Sequence, residues 1–313
     1  MGLQPGERVM IVTDEPCRTI GQAMHQLVKE LGNEVRFMEI PPRKTHGEEP
    51  PDDVARFMKT VDVVLCPTSK SMTHTNAKRE AQALGVRVAT LPGVTEDMMV
   101  RCMNADYHKI AELTNKLGDM LEKTKKVRIT SAAGTDLTMP IEGRKAIRSH
   151  GLFREKGKGG NLPTGEAFVA PIEEHSNGLA VIDGSMAGIG VLTSPIHIMV
   201  RNGYAREISG GAEAKRLIDL LAIHGELSRN LAEFGIGTNE KARITGVILE
   251  DEKVLGTVHV AFGDNVSMGG TVNVQSHLDG LITSPTVWFD DTMIMRTGKL
   301  LCRERGTKQQ HPR

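Results

Sequence analysis

His277-Leu278-Asp279 carries the residue types and the spacing most capable of chemistry in this chain. On an extended segment, side chains repeat every two residues, so the imidazole and the carboxylate project from the same face. Held that way, the pair can grip one divalent metal ion. His259 lies upstream in Gly256-Thr257-Val258-His259-Val260-Ala261-Phe262-Gly263. The apolar alternation there turns it away from Val258 and Val260. Two histidines and one carboxylate form a set suited to Fe(II), Zn(II), Mn(II) or Co(II).

The elements that must position these residues fall into two patterns. Val9 to Thr13, Val35 to Ile40, Asp62 to Cys66 and Val86 to Leu91 read as strands. Between them, Thr19 to Leu31, Pro51 to Thr60 and Thr75 to Leu84 read as helices, the first closing at Gly32-Asn33 and the last at Gly85. This alternation predicts an α/β domain built on a parallel sheet. Nothing like GxGxxG follows the first strand, so the sheet does not argue for a dinucleotide.

A long helix is expected over Thr95 to Lys123, and the pattern changes after it. Val127 to Thr130 and Asp136 to Met139 form a hairpin pattern around Gly134-Thr135. Short strands follow at Leu179 to Asp183, Ile189 to Leu192, His197 to Val200 and Ala205 to Ile208. A helix is read from Glu213 to Glu233, then strands at Ala242 to Leu249, Thr257 to Phe262, Asn273 to Leu278 and Thr292 to Met295. The expected organisation is a Rossmann-like α/β domain over 1–125, an α+β metal-binding domain rich in antiparallel strands over 126–302, and a loose polar tail over 303–313.

Composition excludes several function classes. The 39 basic and 39 acidic residues cancel, which removes the electrostatic argument for nucleic acid or an anionic membrane surface. Aromatics make up 3% of the chain, too few for a base-stacking platform. No apolar run is long enough for a membrane span, and no leader is read at the start. Cys17, Cys66, Cys102 and Cys302 form no CxxC pair and are read as reduced thiols of a cytoplasmic protein.

Three further groups join the nucleus. Glu166 ends Asn161-Leu162-Pro163-Thr164-Gly165-Glu166, where Pro and Gly can hold a lone acid rigidly in a turn. Glu233 is read at the end of its helix, before Gly235-Ile236-Gly237. With His259, His277 and Asp279, these acids make two histidines and three carboxylates, a set able to bridge two metal ions about 3.5–4 Å apart. His74, in Ser71-Met72-Thr73-His74, either serves as an acid–base group or simply precedes the following helix. Arg144 and Arg148 are candidate carboxylate binders.

The Asn161–Glu166 run, then Glu233, the His259–Gly263 run and His277-Leu278-Asp279 resemble, in that order, the metallo-aminopeptidase family of aminopeptidase T and aminopeptidase S. The likeness is closest to its short leucyl aminopeptidase-like branch. It covers most of the second half and, loosely, the first sheet. It implies that Glu166, Glu233, His259, His277 and Asp279 bind one or two divalent ions, and that the chain is a homodimer. One departure stands out: the family's tyrosine ligand falls at Val266. The 2,5-dihydroxypyridine 5,6-dioxygenases resemble the same scaffold. Their His-x-Asp matches His277 and Asp279, their other iron histidine falls at Glu233, and their catalytic-histidine segment resembles Ser71–His74.

Because Glu166 and Glu233 are carboxylates, the expected activity is that of a metalloprotease-like hydrolase. Metal-activated water would cleave the N-terminal bond of a small-molecule or short-peptide substrate, with Glu166 and His74 as catalytic groups and zinc among the metals. The alternatives are a mononuclear Fe(II) ring-cleaving dioxygenase and a non-catalytic metal-stabilised dimer module.

Overall fold

The computed structural model describes residues 1–301. The expected 303–313 tail and Cys302 lie outside the described residues. The chain divides into two compact units. The first comprises Met1–Thr114, Arg148–Glu166 and Asn239–Val254; the second comprises Asn115–Ile147, Ala167–Thr238 and the chain from Leu255 onward.

The first unit is α/β. Its parallel sheet runs in the order Glu34–Ile40, Arg8–Asp14, Val63–Thr68, Arg87–Pro92, Gly159–Asn161. Val9, Met10, Ile11 and Val12 are all buried, the signature of a strand covered on both faces. Helices Arg18–Glu30, Asp52–Met58 and Asn76–Ala83 connect the strands. Gly32 and Gly85, both at positive φ, follow the first and last of these helices. Thr75 caps the last by accepting a hydrogen bond from the Lys78 backbone N–H at 3.3 Å. Met10, Val12, Val54, Met58, Val64 and Met72 pack together in its core.

The second unit is α+β, with antiparallel sheets and the helix Ala212–Ala222. One sheet runs Tyr204–Ser209, Ile196–Arg201, Asn177–Ile182, Asp136–Pro140, Lys126–Thr130, Thr286–Phe289, Thr292–Arg296, Lys299–Leu300. The expected hairpin is its Lys126–Thr130 and Asp136–Pro140 pair. In the other sheet, the strands lying wholly in this unit run Gly190–Val191, Ser185–Met186, His277–Ile282, Val258–Gly263, Leu231–Gly237.

Four expected elements differ from the structure, each for a local reason. The Thr95–Lys123 helix is two helices, Glu96–Arg101 and Tyr107–Leu121. Between them the Asp106 carboxylate accepts from the backbone N–H groups of His108 and Lys109 at 3.1 and 3.2 Å and starts a new helix. The Glu213–Glu233 helix stops at Ala222; Gly225, at positive φ, turns the chain, and Glu233 lies in a strand. The expected strand Ala242 to Leu249 is a loop entering the helix Ile248–Asp251. There Asp251 accepts from the backbone N–H groups of Thr245 and Gly246, and Glu250 from that of Arg243, bonds that compete with a ladder. The strand expected from Asn273 begins at His277, after a loop closed around Asn265 and Gly269-Gly270.

Candidate metal centre

The second unit gathers Glu233, His259, His277 and Asp279 on one face of three adjacent strands. Gly235 pairs with His259, and Ala261 lies opposite Glu233 on one side and Asp279 on the other; Gly263 pairs with His277. Directly paired residues share a face, so the register places all four side chains around Ala261. A bulge makes this possible. Leu231 pairs with Phe262 but Glu233 pairs with Ala261, so one extra residue enters the Leu231–Gly237 strand. Without it, Glu233 would oppose Val260 and point to the other face.

The donor atoms converge. His259 Nε2 lies 3.0 Å from Glu233 Oε1, and His277 Nε2 lies 3.3 Å from Glu233 Oε2 and 3.5 Å from Asp279 Oδ1. Ligand atoms of Glu233, His259 and Asp279 all lie within 4.8 Å of one another. His259, Glu233 and Asp279 are buried, while 32% of the His277 side chain is accessible. His277 Nδ1–H donates to the Asp264 carbonyl at 2.8 Å. That bond fixes the ring and leaves Nε2 as the atom facing the carboxylates, the arrangement that prepares a histidine ligand.

Electrostatics follow from this packing. Burial raises the Glu233 carboxyl pKa, but hydrogen bonds from His259 and then His277 outweigh it and hold the group below the usual carboxylate range. Withdrawal from water lowers the His277 pKa, but the Asp279 and Glu233 carboxylates outweigh that and hold it well above an ordinary histidine. The buried Asp279 Oδ1 faces His277 Nε2 at 3.5 Å without a well-formed hydrogen bond. Such an oxygen, beside imidazole nitrogens and a second carboxylate, fits a divalent cation.

Two small residues make room for the cluster. A Cβ added at Gly235 would lie 2.1 Å from His259 Nε2, so the imidazole rests directly on that backbone. Ala261, fully buried, keeps the centre of the face open. A glycine inside a strand is the sequence signal for such an approach.

A buttress lies behind the loop that leads into His277. Glu173 Oε1 accepts from Asn265 Nδ2 at 2.9 Å and the Thr271 backbone N–H at 2.8 Å. Its other oxygen pairs with Arg144, which also donates to the Gly269 carbonyl. Arg144, a candidate carboxylate binder in the sequence, therefore binds a carboxylate of its own chain.

The remaining candidates lie in the first unit. His74 is exposed and immediately precedes the Thr75 cap, and its carbonyl accepts from Arg79 Nη1 at 2.8 Å. Nearby, Ser71, Thr73, Thr90 and Asn161 share a hydroxyl–amide network. Glu166, 5% exposed, does not stand as a bare acid. Its Oε1 receives Lys253 Nζ at 2.6 Å, and the same ammonium pairs with Glu252. Burial lowers the Lys253 pKa, but attraction to Glu166 and then Glu252 outweighs it and holds the group above an ordinary lysine. Lysine 253 carried no signal in the sequence. Val266, where the aminopeptidases' tyrosine would fall, is an exposed aliphatic side chain in the second unit.

A sequence model of the family described as NicX, 2,5-dihydroxypyridine 5,6-dioxygenase, matches residues 1–302. The 2,5-dihydroxypyridine 5,6-dioxygenase of Pseudomonas putida KT2440 is 23% identical over 267 residues, covering 80% of this chain and 73% of that protein. The solved structure of 2,5-dihydroxypyridine dioxygenase from Pseudomonas putida KT2440 has a TM-score of 0.82 at 18% identity, covering 95% of this chain and 92% of that one. Wild-type AmpT from Thermus thermophilus has a TM-score of 0.73 at 17% identity, covering 96% and 95%.

These findings overturn the expected activity. Hydrolase, aminopeptidase and metalloprotease are corrected to the dioxygenase family, and the aminopeptidase likeness stands as a relation of fold. At Glu166, the acid that favoured a hydrolase in the sequence, the carboxylate pairs with Lys253. A divalent metal, iron among the ions that suit it, is the cofactor of this family and of this donor set. No helix among the described residues is long and apolar enough to cross a membrane.

Two outcomes follow from this geometry. Gly235→Ala drives the His259 ring off its seat. It weakens Fe(II) or Mn(II) binding by about 10–100-fold while far-ultraviolet circular dichroism stays native; unchanged affinity in equilibrium dialysis contradicts the close contact. For Glu173, burial raises the carboxyl pKa, but its own backbone N–H, Thr271, Asn265 and Arg144 outweigh it and leave it lowered. A lowered folded value gives stability that is complete above the ordinary carboxylate range and lost as pH falls through the folded value. Wild type is therefore more stable to urea than Glu173→Gln at neutral pH, and the gap narrows in acid; a gap that widens in acid contradicts the sign.

Proposed function

The chain belongs to the 2,5-dihydroxypyridine 5,6-dioxygenase family, and from that premise we propose that it is a mononuclear iron dioxygenase acting on a small, electron-rich dihydroxypyridine-like ring. The family match over residues 1–302 carries the reading. The convergence of His259, His277, Asp279 and Glu233 supports it.

In this reading those four side chains hold the ion. Bound Fe(II) supplies the redox chemistry that lets O2 add both its atoms to the ring, which amino-acid side chains alone cannot do. The chain's own residues do the rest. The His277 Nδ1–H bond to the Asp264 carbonyl fixes the tautomer. Glu233 spans the two imidazoles, and its charge keeps them aligned. Where the family's iron histidine is expected, this chain carries the Glu233 carboxylate, so its anionic donor count is higher and its preference shifts toward hard cations. The three buried donors leave His277 as the accessible member, which sets the side from which a small molecule enters.

We assign His74 a proton-transfer role on a substrate hydroxyl, because it is the exposed imidazole in the segment resembling the family's catalytic one. A homodimer is carried forward as part of the proposal, and sedimentation of the purified chain checks it.

Anaerobically purified protein loaded with Fe(II) is expected to consume O2 and 2,5-dihydroxypyridine in equal amounts, and Asp279→Ala to abolish both iron retention and turnover. Hydrolysis of aminoacyl amides without O2 uptake on the dihydroxypyridine would sink the assignment. His74→Gln is expected to lower kcat by about 10²–10⁴ with iron content unchanged. A variant that instead loses iron would refute the proton-transfer role.

A further inference from the structure

Within the first unit, two buried charged side chains, Glu166 and Lys253, meet a third, Glu252, that is partly exposed. Glu166 is 5% exposed and Lys253 is 1% exposed. Carboxylate oxygens of Glu166 and Glu252 lie within 4.8 Å of one another, and Lys253 Nζ pairs with both, 2.6 Å from Glu166 Oε1. The backbone fixes this meeting point. Asn239, fully buried, donates from Nδ2 to the Thr164 carbonyl at 2.9 Å and from its backbone N–H to the Lys253 carbonyl at 2.9 Å. Gly165, at φ +140°, lets the turn before Glu166 pass against Asn239, where an added Cβ would lie 2.9 Å from the Asn239 Cβ.

Two converging carboxylates cannot both stay ionised in a buried place without a cation. Oxygen donors of this kind suit a divalent ion or an ammonium. A buried ion pair adds little stability over an apolar pair of similar size, because desolvation offsets most of the attraction. Folding alone therefore gives this cluster little reason to exist, whereas control of the local cation gives it one.

We propose that Lys253 is a built-in counter-cation that occupies the place between Glu166 and Glu252 and keeps a divalent ion out of it. The lysine sets the metal count of the chain: the carboxylates of the first unit are spent on an ammonium, and the ion of the second unit is the single metal. The inference rests on the mononuclear reading above only for the baseline count.

The test is Mn²⁺ uptake measured by equilibrium dialysis and elemental analysis on the full-length chain. Wild type takes up about one Mn²⁺ per chain; none or two overturns the mononuclear reading, whatever the lysine does. Lys253→Gln, which removes the charge and keeps a polar side chain, takes up roughly one more than wild type. Lys253→Gln combined with Glu166→Gln loses that increment, and Lys253→Arg never gains it. If Lys253→Gln is poorly folded without metal, its melting temperature rises toward wild type on titration with Mn²⁺. No increment and no Mn²⁺-dependent recovery overturns the proposal, as does an increment that survives the double substitution.

Discussion

One carboxylate holds the candidate centre together. Glu233 reaches both imidazoles, one with each oxygen, and everything near it serves to bring it there. The bulge between Leu231 and Glu233 turns it onto the correct face. Ala261 and Gly235 leave the space it and His259 occupy. The Asp264 carbonyl and the loop braced by Glu173 aim His277 at it. A register slip of one residue in any of these strands would scatter the four donors between two faces.

The two units handle buried negative charge in different ways. In the second, imidazoles face two carboxylates, a donor set that suits a divalent metal ion. In the first, an ammonium completes the set from within the chain. Counting acids along the sequence treats Glu166 and Glu233 alike. Their partners separate them: Glu233 meets two imidazoles, whereas Glu166 meets an ammonium.

The parallel sheet of the first unit was legible because its strands are nearly continuous apolar runs and its helices end at glycines. His277 and Asp279 were legible because a two-residue spacing survives any placement of the strand. Glu233 was found as a residue but assigned to a helix, because the bulge that places it leaves no compositional trace. Lys253 was invisible. Its partner Glu166 is far away in sequence, and a lysine among acids reads as a solvated surface run. The shift from hydrolase to dioxygenase could not be reached from ligand types alone, because imidazoles and carboxylates of this kind suit both chemistries.

The central claim is that Glu233, His259, His277 and Asp279 hold one iron ion. Iron K-edge X-ray absorption on anaerobically loaded protein tests it most directly. The account predicts the multiple-scattering signature of two imidazoles with oxygen neighbours and no iron–iron distance, reduced to one imidazole in His259→Ala. A spectrum lacking imidazole scattering, or one unchanged by that substitution, would contradict it.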